Sequence, residues 1–346
     1  MLDKLIKKLQ THSGIESKKD IQSAAKTFSH SPFSELGKSA MLGDDAAVIP
    51  KQSGLLLMAS EGISPSLVEK EPWFAGWSSV LVNISDIVAM GGKPLALVNS
   101  IWSDKNDLEK HNQILSGMSF ACEKFNVPMV GGHSNQKSPY TALSVSILGL
   151  VDGPILSSRF AESEDELWII ANKDGCFFKD YPFWDAATKA SATLLRKHFS
   201  LIPFLAKKNI IHAAKDISMG GITGTAVMFA ESAGKTIVID LEKIQRPKGV
   251  TEFDWLTCFP SYGFLCAIKP SKANFLKEAL RAYEELICCH VGNFKNGNSS
   301  VYIKNSNGAK LLWEEDTPLT GFTLSLIHIS EPTRLRRISY AVFCLK

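Results

Sequence analysis

Several carboxylates in this sequence stand beside glycines or at predicted strand ends, where they could bind a divalent cation. Asp44 and Asp45 follow Gly43 in a predicted loop, just before a short apolar strand. Two neighbouring acids repel each other unless a cation or hydrogen-bond donors lie between them. Hard cations such as magnesium choose oxygen ligands, usually one or two carboxylates together with substrate phosphates and water. Because a solvated turn also explains an isolated Asp-Asp pair, the metal interpretation depends on the other acids.

Glu61 and Asp86 are the next candidate metal ligands. Glu61 follows the apolar strand predicted over residues 54–59, which puts its carboxylate at a strand terminus. Asp86 comes three residues after Asn83, so the two polar side chains lie on one turn of an otherwise apolar helix. An isolated aspartate can again be a solvated turn residue. The recurrence of acids in such positions favours a shared metal site.

A first pair of glycines could bring backbone N–H groups close to a phosphate. Gly131 and Gly132 follow a strand predicted from residue 127, and His133 adds a polar side chain to the turn predicted over residues 131–135. A lone Gly-Gly-His sequence is weak support for a phosphate site, because many ordinary tight turns have the same composition.

A second pair, Gly220 and Gly221, precedes a helix predicted over residues 222–232, and Asp216 and Ser218 stand just before the glycines. The free N–H groups and the positive end of a helix form an anion site. Asp216 could hold a cation that bridges to this anion. The alternative is a helix N-cap with a glycine-rich turn.

The helix that carries Asp86 must hold the carboxylate in a rigid, buried place. Gly91 and Gly92 are predicted to end this helix, Pro94 prevents its continuation, and a strand is predicted over residues 95–102. Apolar residues recur along the helix at offsets of three and four, which indicates a broad buried face: Trp73, Trp77, Val80, Leu81, Ile84, Ile87 and Val88.

Length and composition indicate a globular protein of two domains. The chain has 346 residues, of which 45% are hydrophobic and 21% are charged. No apolar run approaches the roughly 20 residues that span a bilayer, and no signal-type segment is recognised, so we expect a cytoplasmic protein. The seven cysteines are scattered without Cys-x-x-Cys spacing, so we expect neither a disulfide framework nor a structural zinc site.

The last residues of the chain require separate treatment. Residues 324–346 resemble the translation of a common sequencing-library adapter on either side of an index, and we interpret them as an artefact. This tail contains four basic residues and one acidic residue, so the formal net charge falls from +3 to zero without it. A neutral chain gives no electrostatic reason to expect nucleic-acid binding.

Helix and strand patterns are mixed in both halves of the chain, which predicts an α+β fold. A Gly-Pro pair at residues 153 and 154 separates two strand-like runs and marks the predicted domain boundary. The predicted divisions are N-terminal helices and a loop (1–38), a first domain (39–152), a second domain (153–323) and the tail (324–346). Helices predicted in the second domain include residues 184–197, 202–208, 222–232 and 271–286.

Four motifs occur together in one order and spacing: Gly43-Asp44-Asp45-Ala46, residues 83–86 with 90–94, Gly131-Gly132-His133, and residues 216–221. With these motifs the chain resembles the superfamily of aminoimidazole ribonucleotide (AIR) synthetase, thiamine-monophosphate kinase, selenophosphate synthetase and the hydrogenase-maturation dehydratase. Residues 60–63, 72–76 and 258–264 are most similar to its AIR-synthase-related branch. The resemblance is specific for the superfamily and much less so for a substrate.

The resemblance implies a two-domain PurM-like architecture. The N-terminal domain would form a dimeric β-barrel with a second subunit, and a C-terminal α+β sandwich domain would pack across it. ATP would bind between the domains together with Mg²⁺. The implied partners are a small-molecule substrate and a second copy of the chain, with neither nucleic acid nor membrane.

The resemblance also implies roles for individual residues of this sequence. The metal ligands would be Asp44, Asp45, Glu61, Asp86 and Asp216. The nucleotide site would include Gly43, Asp45, Asn83, Gly131, Gly132, Arg159, Ser218, Gly220 and Gly221. The catalytic residues would be Asp86, Asp216 and His133.

Two positions depart from the pattern of the kinase. His133 and Met219 stand where thiamine-monophosphate kinases commonly have aspartates, and both changes remove metal-binding charge. We therefore expect an ATP- and Mg²⁺-dependent enzyme that transfers phosphate to a small metabolite or activates it. Thiamine-monophosphate kinase is the first alternative, and a non-catalytic nucleotide-binding protein is the second. The sequence has no P-loop motif, so an ordinary P-loop nucleotide site is not expected.

Overall fold

The computed structural model describes residues 2–16, 18, 45–50, 54–104, 106–314 and 316–322, which form two domains of mixed helix and strand. Gly43 and Asp44 lie outside the described residues, as do residues 19–38 of the predicted N-terminal helices and loop and the tail at 324–346.

The elements are numbered in chain order. The strands are β1 (Ala47–Pro50), β2 (Leu55–Gly62), β3 (Lys93–Trp102), β4 (Met129–Asn135), β5 (Ala142–Val151), β6 (Glu166–Asn172), β7 (Cys176–Phe177), β8 (Phe183–Asp185), β9 (Ala213–Asp216), β10 (Thr236–Asp240), β11 (Phe259–Pro260), β12 (Gly263–Ile268), β13 (Leu286–Lys295), β14 (Val301–Asn305) and β15 (Gly308–Trp313). The α-helices are α1 (Leu2–Gln10), α2 (Ser13–Glu16), α3 (Pro65–Lys70), α4 (Pro72–Ala89), α5 (Leu108–Phe125), α6 (Ala192–Phe199), α7 (Leu201–Lys207), α8 (Gly221–Ala233), α9 (Glu252–Thr257) and α10 (Ala273–Leu280). Within the described ranges, no helix has both the length and the apolar character that a membrane crossing requires.

The first domain is a five-stranded sheet in the order β1-β2-β5-β3-β4, with helix α4 packed against β2, β3 and β5. All neighbouring strands are antiparallel except β3 and β4, which are parallel. The described strands leave this sheet open at both edges. A closed barrel is therefore not formed within one chain, and the dimeric barrel stays a prediction.

Helix α4 is buried along nearly its whole length, as its apolar pattern predicted. Two glycines allow α4 and α5 to approach closely. A Cβ atom on Gly76 would lie 2.1 Å from the backbone oxygen of Ile114, and one on Gly117 would lie 2.0 Å from that of Trp73. This close packing fixes the position of the helix that carries Asp86.

The second domain contains a seven-stranded sheet in the order β15-β14-β10-β13-β6-β12-β9 and a small sheet of β11, β8 and β7. Helix α8 is buried against this domain, and its C-cap is Gly234, whose φ of 60° is left-handed. The N-terminal helices belong to this domain by their contacts, since α1 packs on β15 and α2 packs on α8.

Some sequence-based boundaries were wrong. The turn predicted over residues 131–135 is part of strand β4, and the helix predicted over residues 184–197 begins only at Ala192 because Trp184 lies in β8. The helix predicted over residues 271–286 ends at Leu280. In the first two cases strand pairing determines the local conformation, since residues 131–135 pair with β3 and Trp184 pairs with Pro260 of β11.

Candidate active site

A cleft of about 340 Å³ brings together four of the predicted metal ligands: Asp45, Glu61, Asp86 and Asp216. They come from the residues before β1, from β2, from α4 and from β9. Helix α4 contacts β9 directly, so the cleft lies where the two domains meet. The rest of its lining includes Lys18, Val82, Lys215, Ser218, Met219, Met228, Phe259, Thr320 and Phe322.

Asp86 is buried at the bottom of this arrangement, on the last turn of α4. Burial raises the pKa of its carboxyl group well above the usual range, and repulsion from Asp216, Glu61 and Asp45 acts in the same direction, while Lys215 opposes it. The Oδ2 atom of Asp86 has no hydrogen-bond partner among the described residues. A buried carboxylate oxygen without a partner is costly, and a bound cation would remove the cost.

Asn83 lies one turn before Asp86 and is fully buried. Its Nδ2 atom donates a hydrogen bond to the backbone oxygen of Ser79 at 2.8 Å, which directs Oδ1 away from that bond. The Oδ1 atom is buried without a hydrogen-bond partner among the described residues. Asn83 does not line the cleft.

Glu61 lies within strand β2, which extends three residues beyond the predicted end at residue 59 and reaches Gly62, so Glu61 is the last residue but one of the strand. It shares its side of the sheet with the buried Leu57 and Ala59, and this side faces α4. The carboxyl group stays open to the cleft, yet the surrounding protein raises its pKa by burial, with opposition from Lys18.

Asp45 forms an ion pair with Lys215, and each side chain is only 5% exposed. The Lys215 Nζ atom donates to Oδ1 of Asp45, and the backbone N–H of Asp216 donates to Oδ2 at 3.2 Å. Strand β9 is at the edge of the seven-stranded sheet, so its residues Lys215 and Asp216 can contact residues of the first domain. The pair thus joins the two domains across the cleft.

Within the described part of the chain, no three His, Cys, Asp or Glu side chains are arranged to hold a metal ion on their own. Asp45 is already bound to Lys215, while Glu61, Asp86 and Asp216 face the cleft. Mg²⁺ commonly takes only one or two carboxylates and completes its shell with water and phosphate oxygens. The donor set therefore fits a cation that arrives with a phosphate ligand.

Gly220 and Gly221 at the start of α8 do not line the cleft, and their role in nucleotide binding stays a prediction. Gly220 is the N-cap residue with a φ of 97° and, as a glycine, it has no side chain that could form a capping bond. The backbone of Gly14 lies directly against Gly220, and the fully buried Ile15 packs beside it. Helix α2 therefore covers the side of Gly220 that it contacts.

Two family models match this chain in succession. The N-terminal domain of AIR synthase-related proteins matches residues 43–151, and the C-terminal domain matches residues 156–304. The chain belongs to the AIR synthase-related protein family. An uncharacterised protein of Synechocystis sp. is 43% identical over 325 residues, which are 93% of this chain and 99% of the relative. A thiamine-monophosphate kinase of Synechococcus elongatus is 31% identical over an alignment of 158 positions, which covers 40% of this chain and 47% of the kinase.

Solved structures share the fold of this AIR synthase-related chain. The structure of AaThiL complexed with AMPPCP and TMP has a TM-score of 0.59 at 19% identity and covers 81% of this chain and 94% of its own. The structure of T. maritima PurL complexed with ATP has a TM-score of 0.66 at 15% identity and covers 86% of this chain and 48% of its own. At these identities the likeness shows the two-domain PurM-like fold alone.

His133, Gly131 and Gly132 do not line the carboxylate cleft of the AIR synthase-related chain. They lie in β4, where His133 pairs with Ser100 of β3. In the order of the sheet β4 is three strands away from β2, which carries Glu61, so β4 and β2 are about 14 Å apart. Gly132 serves strand pairing, since a Cβ there would come within 2.5 Å of the Asn99 backbone oxygen. Within one chain, these three residues are separated from the acids.

Arg159 lines a different and larger cleft, of about 980 Å³, on the second domain. The other charged groups there include His212, Lys235, Lys269 and Lys272. Ser218, in contrast, does line the carboxylate cleft, next to Met219. The structure therefore divides the predicted nucleotide residues between two surfaces.

The sequence alone did not identify Lys18 and Lys215 as residues of the cleft, nor the segment 316–322, of which Thr320 and Phe322 line it. Lys215 precedes Asp216 in β9, and alternation alone would not show that both of these adjacent residues are buried. Glu231 of α8 accepts hydrogen bonds from the backbone N–H groups of Thr320 and Gly321, at 3.0 and 2.8 Å. Thr320 thereby reaches the cleft, and only the tertiary structure brings it there.

Proposed function

We propose that this chain is an ATP- and Mg²⁺-dependent enzyme that transfers phosphate to a small metabolite or activates the metabolite with ATP. The cleft at the domain junction is the proposed site of this reaction. Asp45, Glu61, Asp86 and Asp216 reach it from four separate parts of the sequence, and this convergence is the observation that supports the proposal most directly.

The charges in the cleft suit a phosphate ligand that brings its own cation. Phosphoryl transfer needs positioning and charge neutralisation more than covalent chemistry from the protein. Mg²⁺ would be held by Asp86 and Asp216, with Glu61 nearby, and would neutralise phosphate oxygens. The Oδ2 atom of Asp86, which has no hydrogen-bond partner among the described residues, is the donor most in need of such an ion.

The chain's own residues would then perform distinct tasks. Lys215 and Lys18 supply positive charge at the cleft, so they would help to bind the anionic substrate. Phe259 and Phe322 provide apolar walls that would exclude water from the reacting groups. Asp86 and Asp216 would orient the nucleotide through its cation.

The relatives support nucleotide chemistry without deciding the substrate. Matched relatives include proteins named thiamine-monophosphate kinase and selenide, water dikinase, and the PurL structure with a similar fold is an ATP complex. The kinase of S. elongatus favours thiamine-monophosphate kinase as a second candidate function, although its match covers 40% of this chain. A coupled assay with thiamine monophosphate tests this second candidate, and formation of thiamine diphosphate would establish it.

Calorimetric titration with ATP and Mg²⁺ tests the main proposal. We expect the wild-type chain to bind MgATP, and we expect Asp86→Asn to weaken this binding more than tenfold because it removes a metal-binding charge. Asp180→Asn is the matched control, since Asp180 is exposed on a turn outside the cleft. Unchanged affinity in Asp86→Asn would show that the metal assignment is wrong, and wild-type binding without turnover of any metabolite would favour a non-catalytic role.

The outer face of the first sheet fits the homodimer expected from the resemblance. Met58, Val98 and Leu148 are exposed on β2, β3 and β5, and all three point away from α4. An exposed apolar sheet face is a common interaction surface. We assign it to a second copy of this chain, whose own sheet would cover the same residues.

A further inference from the structure

Lys215 is a buried lysine whose ammonium group lies among carboxylates. Its side chain is 5% exposed and is bound to Asp45, and it is close enough to Asp86 to oppose the rise in that group's pKa. A lysine in such a place is costly to bury unless its partners are well placed. Its position on β9 is rigid, because β9 is hydrogen-bonded along its length to β12.

Both carboxylate oxygens of Asp45 are already engaged. Oδ1 accepts from Lys215 Nζ, and Oδ2 accepts from the backbone N–H of Asp216 at 3.2 Å. A divalent ion could use Asp45 only by displacing one of these donors. The structure thus pairs Asp45 with the ammonium group of Lys215, whereas the resemblance assigned Asp45 to Mg²⁺.

The formal charges of the described cleft residues point the same way. Four carboxylates and two lysines line the cleft, so its fully ionised charge is −2 before a nucleotide is counted. One divalent ion balances the charge of these side chains alone, and the negative charge of the nucleotide's phosphates comes in addition. Met219 adds no acid on the second domain, although it lines the cleft.

We propose that the Lys215 ammonium is a permanent cation of this cleft that takes the place of one divalent ion, so that the nucleotide binds with a single divalent ion. Lys215 is then a positioning residue that holds Asp45 and joins the two domains. This inference rests on the proposed nucleotide-binding function and specifies how many metal ions that function requires.

Counting of Mn²⁺ by electron paramagnetic resonance tests the inference on the full chain with saturating AMPPCP. We expect one bound Mn²⁺ per wild-type chain. In Lys215→Met the carboxylate of Asp45 loses its cation, and we expect it to take up a second Mn²⁺. Lys215→Arg keeps the positive charge and is the matched control, with one Mn²⁺ expected.

A melting experiment without metal provides an independent readout. Removal of one partner of a buried ion pair leaves an uncompensated charge, so Lys215→Met should lower Tm by at least about 5 °C. The double variant Asp45→Asn/Lys215→Met should recover part of this loss, because neither charge remains. If Lys215→Met does not fold, Lys215→Gln takes its place in the count, with two Mn²⁺ ions expected, whereas the double variant has lost Asp45 and should bind one.

The outcomes separate this inference from the proposed function. Two or more Mn²⁺ ions on the wild-type chain, or a single ion on folded Lys215→Met, would overturn the role of Lys215 as the substitute for a divalent ion and leave nucleotide binding intact. Absence of any AMPPCP binding to the wild-type chain would overturn the proposed function and the inference together.

Discussion

Gly14 and Gly220 meet backbone to backbone, although 206 residues separate them in the sequence. A Cβ atom on Gly14 would lie 2.6 Å from the Gly220 nitrogen, which is closer than any side chain tolerates. The adjacent Ile15 is fully buried, so this contact docks the N-terminal segment on the second domain. Lys18 reaches the carboxylate cleft from the same segment.

Substitution Gly14→Val should therefore separate α2 from the start of α8. We expect a loss of about 1–3 kcal/mol in the free energy of unfolding, which is typical of overpacking at a close contact. Chemical denaturation with circular dichroism measures the loss. Gly153→Val is the control, because a Cβ at Gly153 would meet no atom within 4 Å. Equal stability of both variants would contradict the docking of α2.

The raised pKa of Asp86 makes a second prediction, for stability against pH in the absence of metal. Its pKa is higher in the folded chain than in the unfolded chain, so the folded state binds the proton more tightly. The stabilising effect of this proton is complete below the unfolded pKa and is lost as the pH rises through the folded pKa. The metal-free chain should thus lose stability in this window.

Asp86→Asn cannot ionise, so it should remove this part of the pH dependence. We expect Asp86→Asn to melt at a higher temperature than the wild-type chain at pH 8 without metal, while the difference shrinks toward pH 4. Thermal melts over this pH range measure both effects. A lower melting temperature for Asp86→Asn at pH 8 would show that the ionised carboxylate of Asp86 does not destabilise the metal-free chain.

Sequence reasoning predicted the position of Asp86 well because the signal was local. The apolar period of α4 and the glycines after it specify a buried helix and its end without reference to the rest of the chain. Asp216 was likewise identified beside its glycines. The meeting of these two acids in one cleft was implied only by the resemblance, since it depends on the contact between α4 and β9.

Other features depend on long-range pairing that a single sequence does not display. Gly131 and Gly132 have the composition of a turn, yet they extend β4 because β3 supplies hydrogen-bond partners. The partner of Lys215 is 170 residues away, and the cover over Gly220 comes from the N-terminal segment. Such contacts require the fold before they can be predicted.

Glu231 provides a third prediction, because it ties the last described segment to α8. It is buried and accepts three hydrogen bonds, two from Thr320 and one from Gly321. Glu231→Ala should release residues 316–322 and weaken nucleotide binding several-fold, since Thr320 and Phe322 line the cleft. Hydrogen exchange of this segment measures the release, and Glu284→Ala, on an exposed turn before β13, is the control. Unchanged exchange would show that Glu231 does not hold the segment.

The exposed sheet face of the first domain makes the fourth prediction, which concerns assembly. Met58 and Leu148 are direct partners across β2 and β5 and are 51% and 36% exposed, and Val98 on β3 is 42% exposed. A charge in the middle of this apolar face would be buried unpaired in a dimer, so Leu148→Glu should convert a dimer into monomers.

Light scattering during size-exclusion chromatography measures the mass. Phe275→Glu is the matched control, because Phe275 is 61% exposed on α10 of the second domain and lies away from this sheet. We expect the wild-type chain and Phe275→Glu to elute as dimers at the same concentration at which Leu148→Glu is monomeric. A dimer that survives Leu148→Glu would have to use another surface, and a monomeric wild-type chain would exclude the dimer altogether.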